Sequence, residues 1–361
     1  MGRETRARID LAALQHNFTV AAGQVPNARV MAVVKADGYG HGIEAVAGAL
    51  AGHAERFAVA CIEEAQRVRK AGIAQPVVLL QGFHQAADIA TCCELQLEPV
   101  VHSDQQLNAL SSTPPDRPLR IWLKINTGMN RLGFSPSVAD QVIASAQSVP
   151  NVTLAGLVTH YACADDRNDD FSLHQHDILA ALSSRYPELE VSAANSAAHF
   201  RDELQPFDWT RPGIMLYGAT PMIGQSAREL RLKPAMSLES VITTTRALKT
   251  GESVGYGASW RAERDTLMGI VCIGYGDGYP RHAPSGTPVW INGQRTTTIG
   301  RVSMDMLAVD LTGVGDAKVG DTVELWGANI PVDEVAAHAG TIGYELLTGV
   351  TSRVPRIYNA V

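Results

Sequence analysis

No two cysteines in this sequence are spaced as CxxC, and the five present (Cys61, Cys92, Cys93, Cys163 and Cys272) are odd in number. That pattern excludes a structural zinc ribbon and gives no disulfide framework, so reduced thiols in a cytoplasm are the expectation. No apolar run approaches the roughly 18 residues that a membrane-spanning helix needs. The stretch Met1-Gly-Arg-Glu-Thr-Arg6 lacks the apolar core of a secretion signal, and Arg6 stands where a myristoylation signal needs Ser or Thr. Positive charge is neither abundant nor clustered: the net charge is -7, with no basic stripe for nucleic acid and no polybasic segment for an anionic membrane. Small-molecule partners are therefore expected. Nucleotide motifs are missing too, since Gly38, Gly40 and Gly42 do not match GxGxxG and no GxxxxGK[ST] occurs. His174 and His176 form an HxH without a third ligand or an HExxH helix, so no metal is expected.

What is present is ample apolar material, 45% of 361 residues against 19% charged, enough for one large domain and one smaller one. Eight β-branched runs alternate with stretches of helical periodicity: Val30–Val34, Phe57–Ala60, Val77–Leu80, Leu97–Val101, Arg120–Ile125, Leu154–Thr159, Glu190–Ala194 and Thr210–Tyr217. Eight βα units of this spacing predict a closed (β/α)8 TIM barrel of the α/β class, with a doubly wound open sheet as the competing arrangement. After about residue 235 the texture turns to strands and Gly-rich turns, among them Leu238–Leu248, Thr266–Ile273, Thr287–Ile291, Met306–Leu311 and Thr322–Trp326. This predicts a C-terminal all-β domain. The expected division is 8–232 for the barrel and 233–361 for the β domain.

In such a barrel, polar residues just after each strand converge on one mouth. Lys35 ends the first run and Lys124 lies in the fifth, with Arg131 in the loop beyond. His160 follows the sixth, Asn195 and Ser196 the seventh, and Arg211 to Gly213 fall in the eighth. An amine held in apolar surroundings has a lowered pKa and suits Schiff-base chemistry, which singles out Lys35. Gly274-Tyr-Gly-Asp-Gly278 reads as a tight turn among strands.

The segment Ala32-Val-Val-Lys-Ala-Asp-Gly-Tyr-Gly-His-Gly42 closely resembles the pyridoxal 5'-phosphate (PLP) attachment segment of bacterial alanine racemases. Leu123-Lys-Ile-Asn-Thr-Gly-Met-Asn-Arg-Leu-Gly133, Thr159-His-Tyr161, Ala194-Asn-Ser-Ala197, Arg211-Pro-Gly-Ile214, Val254-Gly-Tyr-Gly257, Ile273-Gly-Tyr-Gly-Asp-Gly-Tyr279 and Gly300-Arg-Val-Ser-Met-Asp305 resemble further family segments, in family order. The resemblance covers essentially the whole chain. It implies a fold type III PLP enzyme, a homodimer with shared active sites that interconverts L- and D-alanine, for peptidoglycan precursors or alanine catabolism.

Carried over by position, the resemblance makes Lys35 the PLP anchor and the base on the D-alanine face, and Tyr256, from the partner subunit, the base on the L-alanine face. Inverting a carbon needs a proton taken from one face and another delivered to the opposite one, so two bases suit the task. Arg211 would bond the pyridine nitrogen, with His160 beside it, and Arg131 the cofactor phenol oxygen and the substrate carboxylate. Tyr39, Ser196, Gly213, Ile214 and Tyr344 would hold the phosphate. The Met304 backbone N–H would bind the substrate carboxylate, and Lys124 would be a carbamylation site. Departures are Asp37-Gly38 for a commoner Asn-Ala, Ser303 for Cys, and Thr341-Ile-Gly ahead of Tyr344. Rival readings are a broad-specificity amino-acid racemase, a decarboxylase on a related architecture, and a non-catalytic PLP-binding protein of cofactor homeostasis. The first shares both bases; Tyr256 and the second domain argue against the other two.

Overall fold

A computed structural model describes residues 4–359. Residues 1–3 of the amino-terminal stretch considered above, and the last two residues of the expected β domain, lie outside that range.

Eight parallel strands form a closed barrel: Arg29–Val33, Arg56–Val59, Val77–Leu79, Leu97–Val101, Leu119–Lys124, Val152–Val158, Glu190–Ser192 and Trp209–Thr210. Closure is made by the first and last, paired Arg29 to Trp209 and Val30 to Thr210, which rules out the open sheet. Short β-branched strands buried on both faces are what a parallel sheet wrapped in helices requires. Gly156 allows a close approach inside the wall, because a Cβ there would lie 1.9 Å from the Glu190 carbonyl oxygen.

The eighth strand differs from expectation. It ends at Thr210, and the run expected to continue to Tyr217 instead becomes a 3-10 helix, Ile214–Tyr217. Pro212 has no N–H to give a ladder, so the strand cannot continue through Arg211-Pro-Gly213. Sequence periodicity predicts helices over 62–71, 104–110, 138–147 and 174–185, and the structure has Ile62–Lys70, Asp104–Ser112, Ala139–Gln147 and Phe171–Ser183. Ile62–Lys70 has Glu63 and Glu64 in its first turn and Arg67, Arg69 and Lys70 in its last, which suits the helix dipole. In Phe171–Ser183, His176 Nδ1 lies 2.9 Å from the Tyr161 hydroxyl and its ring stacks on Phe207.

The N-terminal end of the barrel is plugged by charge. Arg120 and Arg56 reach Glu98 and Glu190, Arg29 pairs with Glu190, and Trp122 Nε1 donates to Glu98 at 2.8 Å. Arg29 and Arg56 also lie 4.1 and 4.2 Å from the Trp209 ring centroid. Cation–π contact and mutual pairing satisfy charges that burial would otherwise penalise.

A second sheet of eight strands runs in the order Thr266–Val271, Leu307–Asp310, Gln294–Ile299, Pro288–Ile291, Thr322–Trp326, Met236–Leu248, Arg6–Asp10, Arg356–Asn359. The Asn292-Gly293 turn joins two of these strands as a hairpin. Two features differ from the sequence reading. Residues 8–10, expected in the barrel, belong to a strand of this sheet, antiparallel to Met236–Leu248 and parallel to Arg356–Asn359. Asp10 then caps the helix Leu11–Gln24, accepting from Ala13 N at 3.0 Å, and Asn17 ties that helix to the carbonyls of Leu216 and Lys233. The second domain is built on the expected sheet, and to it are added the helices Val332–Ala339 and Gly343–Gly349, which the sequence reading did not include. Pro331 before the first of these and Gly340 after it are ordinary helix boundary signals. No helix among the described residues is long and apolar enough to cross a membrane.

Candidate active site

Beyond the first barrel strand the chain enters a turn of the wrong hand. Ala36, Asp37, Gly38 and Tyr39 have φ of 52°, 54°, 60° and 51°, and the turn is closed by Gly38 N to Val34 O and Gly40 N to Ala36 O, both 2.9 Å. Left-handed geometry costs about 1–2 kcal/mol for each residue with a Cβ, so neighbours must hold it. Glu64 does so with both oxygens, accepting from Ala36 N at 2.7 Å and Ala60 N at 2.8 Å. Asp37 accepts from Ile43 N at 3.1 Å and pairs with Arg67 at 2.7 Å. Beneath the turn His41 is fully buried; burial pushes its pKa down to about 4, so it stays neutral. Gly40 and Gly42 have φ of 82° and 93°, which favour glycine, and a Cβ on Gly40 would lie 2.1 Å from the Leu347 carbonyl oxygen.

Lys35 begins this turn at the rim of a cavity of about 670 Å³ at the C-terminal mouth of the barrel. Tyr39, Lys124, Arg131, His160, Ser196, Arg211, Gly213, Ile214 and Tyr344 all line it. Every expected site residue except two is therefore in one place. The cavity gathers Lys35, Lys124, Arg131, His160 and Arg211 against one lining carboxylate among the described residues, Glu345, while Glu64, outside the lining, acts on Lys35. Burial, then Arg131 and Arg211, lower the Lys35 pKa, and Glu64 works against them. Lys124 is pushed down to about 7 by burial and by Arg211, Arg131 and Lys35. His160 falls well below its ordinary value, mainly through burial and Arg211. Amines disposed to neutrality beside fixed guanidinium charge suit an anionic ligand and an amine nucleophile.

Arg211 is buried, and even at a pKa lowered to about 10 it remains a cation at neutral pH. Its Nη1 donates to Ser192 Oγ at 2.5 Å and its Nη2 to the carbonyls of Thr159 and Ala193 at 2.6 and 3.2 Å. His160 Nδ1 stands 3.4 Å from the same Nη2. Ser196 Oγ accepts from Gly213 N at 2.8 Å and Met215 N at 3.4 Å, and neither bond uses its hydroxyl hydrogen. Tyr39 stacks on Tyr217 at 4.5 Å, and a Cβ on Gly213 would lie 2.3 Å from the Tyr39 hydroxyl. Two hydroxyls and a bare stretch of backbone thus share a corner that one methyl group would fill.

Tyr256 and Met304 do not line this cavity. Tyr256 is 67% exposed, in a turn whose Gly255 and Gly257 both have φ of 73°, between the short strands Ser253–Val254 and Trp260–Arg261. Met304 is also exposed; its carbonyl accepts from Gly276 N at 2.8 Å, and the neighbouring Asp305 is held by Arg353 at 2.6 Å. Sequence reasoning missed Glu64 altogether. Its position in the first turn of the helix after the second barrel strand was the available signal, because that places it at the same mouth.

Two family descriptions match the chain: alanine racemase, N-terminal domain, over residues 9–221, and alanine racemase, C-terminal domain, over 235–358. The alanine racemase of Marinobacter nauticus is 56% identical over 359 residues, 99% of this chain and 100% of that protein. A biosynthetic alanine racemase of Pseudomonas aeruginosa is 48% identical over 354 residues, 98% of each chain. Among solved structures, biosynthetic alanine racemase from Pseudomonas aeruginosa matches with a TM-score of 0.95 at 47% identity, covering 99% of this chain and 100% of that one. Alanine racemase from Acinetobacter baumannii matches with a TM-score of 0.92 at 37% identity, over 99% of this chain and 100% of that one.

Proposed function

The chain belongs to the alanine racemase family and is an isomerase of L- and D-alanine, and on that premise we propose how its residues divide the work. The cofactor is PLP. The corner formed by Tyr39, Ser196, Gly213 and Ile214 fits a phosphate, with Tyr344 at its edge, and the charge excess of the cavity fits the anion. When bound, PLP supplies the electron sink that makes the alanine Cα–H acidic.

Lys35 would hold the cofactor through its side-chain nitrogen and, as a free neutral amine once the substrate amine has taken its place, would exchange the Cα proton on the D-alanine face. Arg211 bonds the ring nitrogen, and its four fixed contacts, His160 among them, keep it from turning away. A permanent cation there opposes protonation of that nitrogen and so limits side reactions. Arg131 takes the phenol oxygen and the substrate carboxylate. Lys124, with its pKa near 7, has a substantial neutral fraction at physiological pH. Its amine attacks carbon dioxide, forms an N–C bond and releases a proton, and the resulting carbamate is an anion among Arg131, Arg211 and Lys35.

The second base comes from outside the cavity that one chain builds, since Tyr256 does not line it. Tyr256 of the partner subunit supplies it on the L-alanine face, and the partner's Met304 offers its backbone N–H to the carboxylate, so the working unit is a homodimer. The division of labour follows 8–232 as the cofactor-binding unit and 233–361 as the unit that completes the partner's cavity, with Arg6–Asp10 contributed to the second sheet. The setting is the cytoplasm, with D-alanine supplied for peptidoglycan precursors or L-alanine fed to catabolism.

The observation that carries this reading is the convergence of Lys35, Lys124, Arg131, His160 and Arg211 on the cavity that also holds the Tyr39–Ser196–Gly213 corner. The test is racemisation of L-alanine, L-serine and L-lysine by the purified, PLP-loaded protein, followed by chiral chromatography. A large kcat/KM preference for alanine is expected. Comparable rates would make it a broad-specificity racemase, and no racemisation despite bound PLP would overturn the assignment of the two bases.

A further inference from the structure

The left-handed turn that presents Lys35 is gripped from a distant part of the chain. Arg356, half-buried at the start of the strand Arg356–Asn359, donates from Nε to the Gly40 carbonyl at 3.0 Å, across 316 residues of sequence. Its Nη1 donates to the carbonyls of Thr351 and Val354 at 2.6 and 2.8 Å, and its Nη2 to that of Val350 at 2.7 Å. All four acceptors are neutral main-chain carbonyls. They fall in two groups: Gly40, which ends the Lys35 turn, and the segment that follows the helix Gly343–Gly349, which carries Tyr344. That helix also presents the Leu347 carbonyl against Gly40 so closely that no side chain fits between. A planar guanidinium with donors fixed in a fork joins two segments rigidly, which a flexible ammonium does not.

We propose that Arg356 is a positioning residue that locks the Lys35 turn to the Tyr344 helix and so fixes the cofactor anchor relative to the opposite wall of the cavity. Tyr358, two residues on, extends the grip, with its hydroxyl packed on Gly42 where a Cβ would otherwise sit. The two contacts bear on Gly40 and Gly42 themselves, whereas the Glu64 and Asp37 carboxylates bind the backbone at Ala36, Ala60 and Ile43. The proposal rests on the reading of Lys35 as the PLP anchor.

The experiment compares Arg356→Met and Arg356→Lys with the parent protein in three respects: the rate of PLP loss on dialysis, the pH at which the visible absorbance of the lysine-bound cofactor changes, and kcat against KM for alanine. An anchor displaced by a fraction of an ångström should lose kcat by roughly 10- to 100-fold with little change in KM. PLP loss should quicken by a similar factor, the absorbance midpoint should move, and Arg356→Lys should recover part of each effect. A lowered Tm with all three readouts at parent values means that Arg356 is merely structural, and overturns the proposal. If Arg356→Met does not fold, amide hydrogen exchange on the parent protein decides. PLP loading should slow exchange in 36–42 and 350–356 together, and slowing confined to 36–42 would overturn the coupling. Lys35→Ala is the separate control: covalent PLP retained in that variant would defeat the anchor reading itself, whatever Arg356 does.

Discussion

At the scale of single residues, the chemistry depends on two groups that the fold places very differently. Tyr256 is exposed in its own chain, so its replacement should leave the barrel cavity and its PLP intact. Tyr256→Phe is expected to cut racemisation by roughly 10²–10⁴-fold, the range for loss of a positioned proton-transfer group, with cofactor absorbance unchanged; parent-level turnover would remove Tyr256 from the mechanism. Lys124 gives a pH dependence whose sign follows from burial. Its pKa lies near 7 rather than 10.5, so acid favours the unreactive ammonium and alkali the amine that takes up carbon dioxide. With labelled bicarbonate, a carbamate signal should appear in carbon NMR a unit above that pKa, fade a unit below it, and be missing from Lys124→Met. A signal indifferent to pH, or retained in the variant, would sink the assignment. Lys124 was legible from its place in a strand run, whereas Tyr256 was legible only through the family resemblance of Val254-Gly-Tyr-Gly257. Arg356 was not legible, for it acts through a backbone partner 316 positions away, and a hydrogen bond of that reach leaves no local pattern; Glu64 was marked only by its place in the first turn of the helix Ile62–Lys70.

At the scale of elements, short β-branched apolar runs and the period of 3.6 were enough to find the barrel strands and most helices, because short buried strands and amphipathic helices write their burial into residue order. Where they failed, backbone chemistry overrode hydrophobicity. Ile214–Tyr217 is apolar enough to extend the strand run from Thr210, yet Pro212 ends the ladder, and Ile214–Tyr217 coils instead. The left-handed turn after Lys35 was equally hidden, since Ala36 and Asp37 carry no conformational signal for positive φ. The bend at Gly213 matters for binding. Gly213→Ala would push a methyl group to within 2.3 Å of the Tyr39 hydroxyl, and overpacking of this kind costs about 1–3 kcal/mol. PLP affinity, measured by titration of the apo-protein, should therefore fall by roughly 5- to 150-fold. Undiminished affinity would place the phosphate elsewhere in the cavity.

At the scale of the whole molecule, the proposed sharing of sites makes a quantitative demand. Mixing Lys35→Ala and Tyr256→Phe subunits should restore activity that neither has alone. Random exchange makes half of the dimers mixed, each with one complete site, so recovery should approach roughly a quarter of the parent activity. No recovery after proven subunit exchange would mean that each chain builds its site alone. The two-part architecture was readable from the change in sequence texture near residue 235, but the membership of Arg6–Asp10 in the second sheet was not, because strand pairing across the length of a chain is set by geometry rather than by neighbours in sequence. That strand lies between Met236–Leu248 and Arg356–Asn359, and its place has a consequence for biosynthesis. At roughly 5–20 residues per second, a ribosome delivers the first strand tens of seconds before either neighbour exists. The barrel strands can meet one another in that interval while Arg6–Asp10 waits as an open edge, the kind of surface that other nascent chains can pair with. Arg356 and Tyr358 arrive long after the last barrel strand, so a chain stalled short of them would have every barrel strand, yet a lysine turn without its grip.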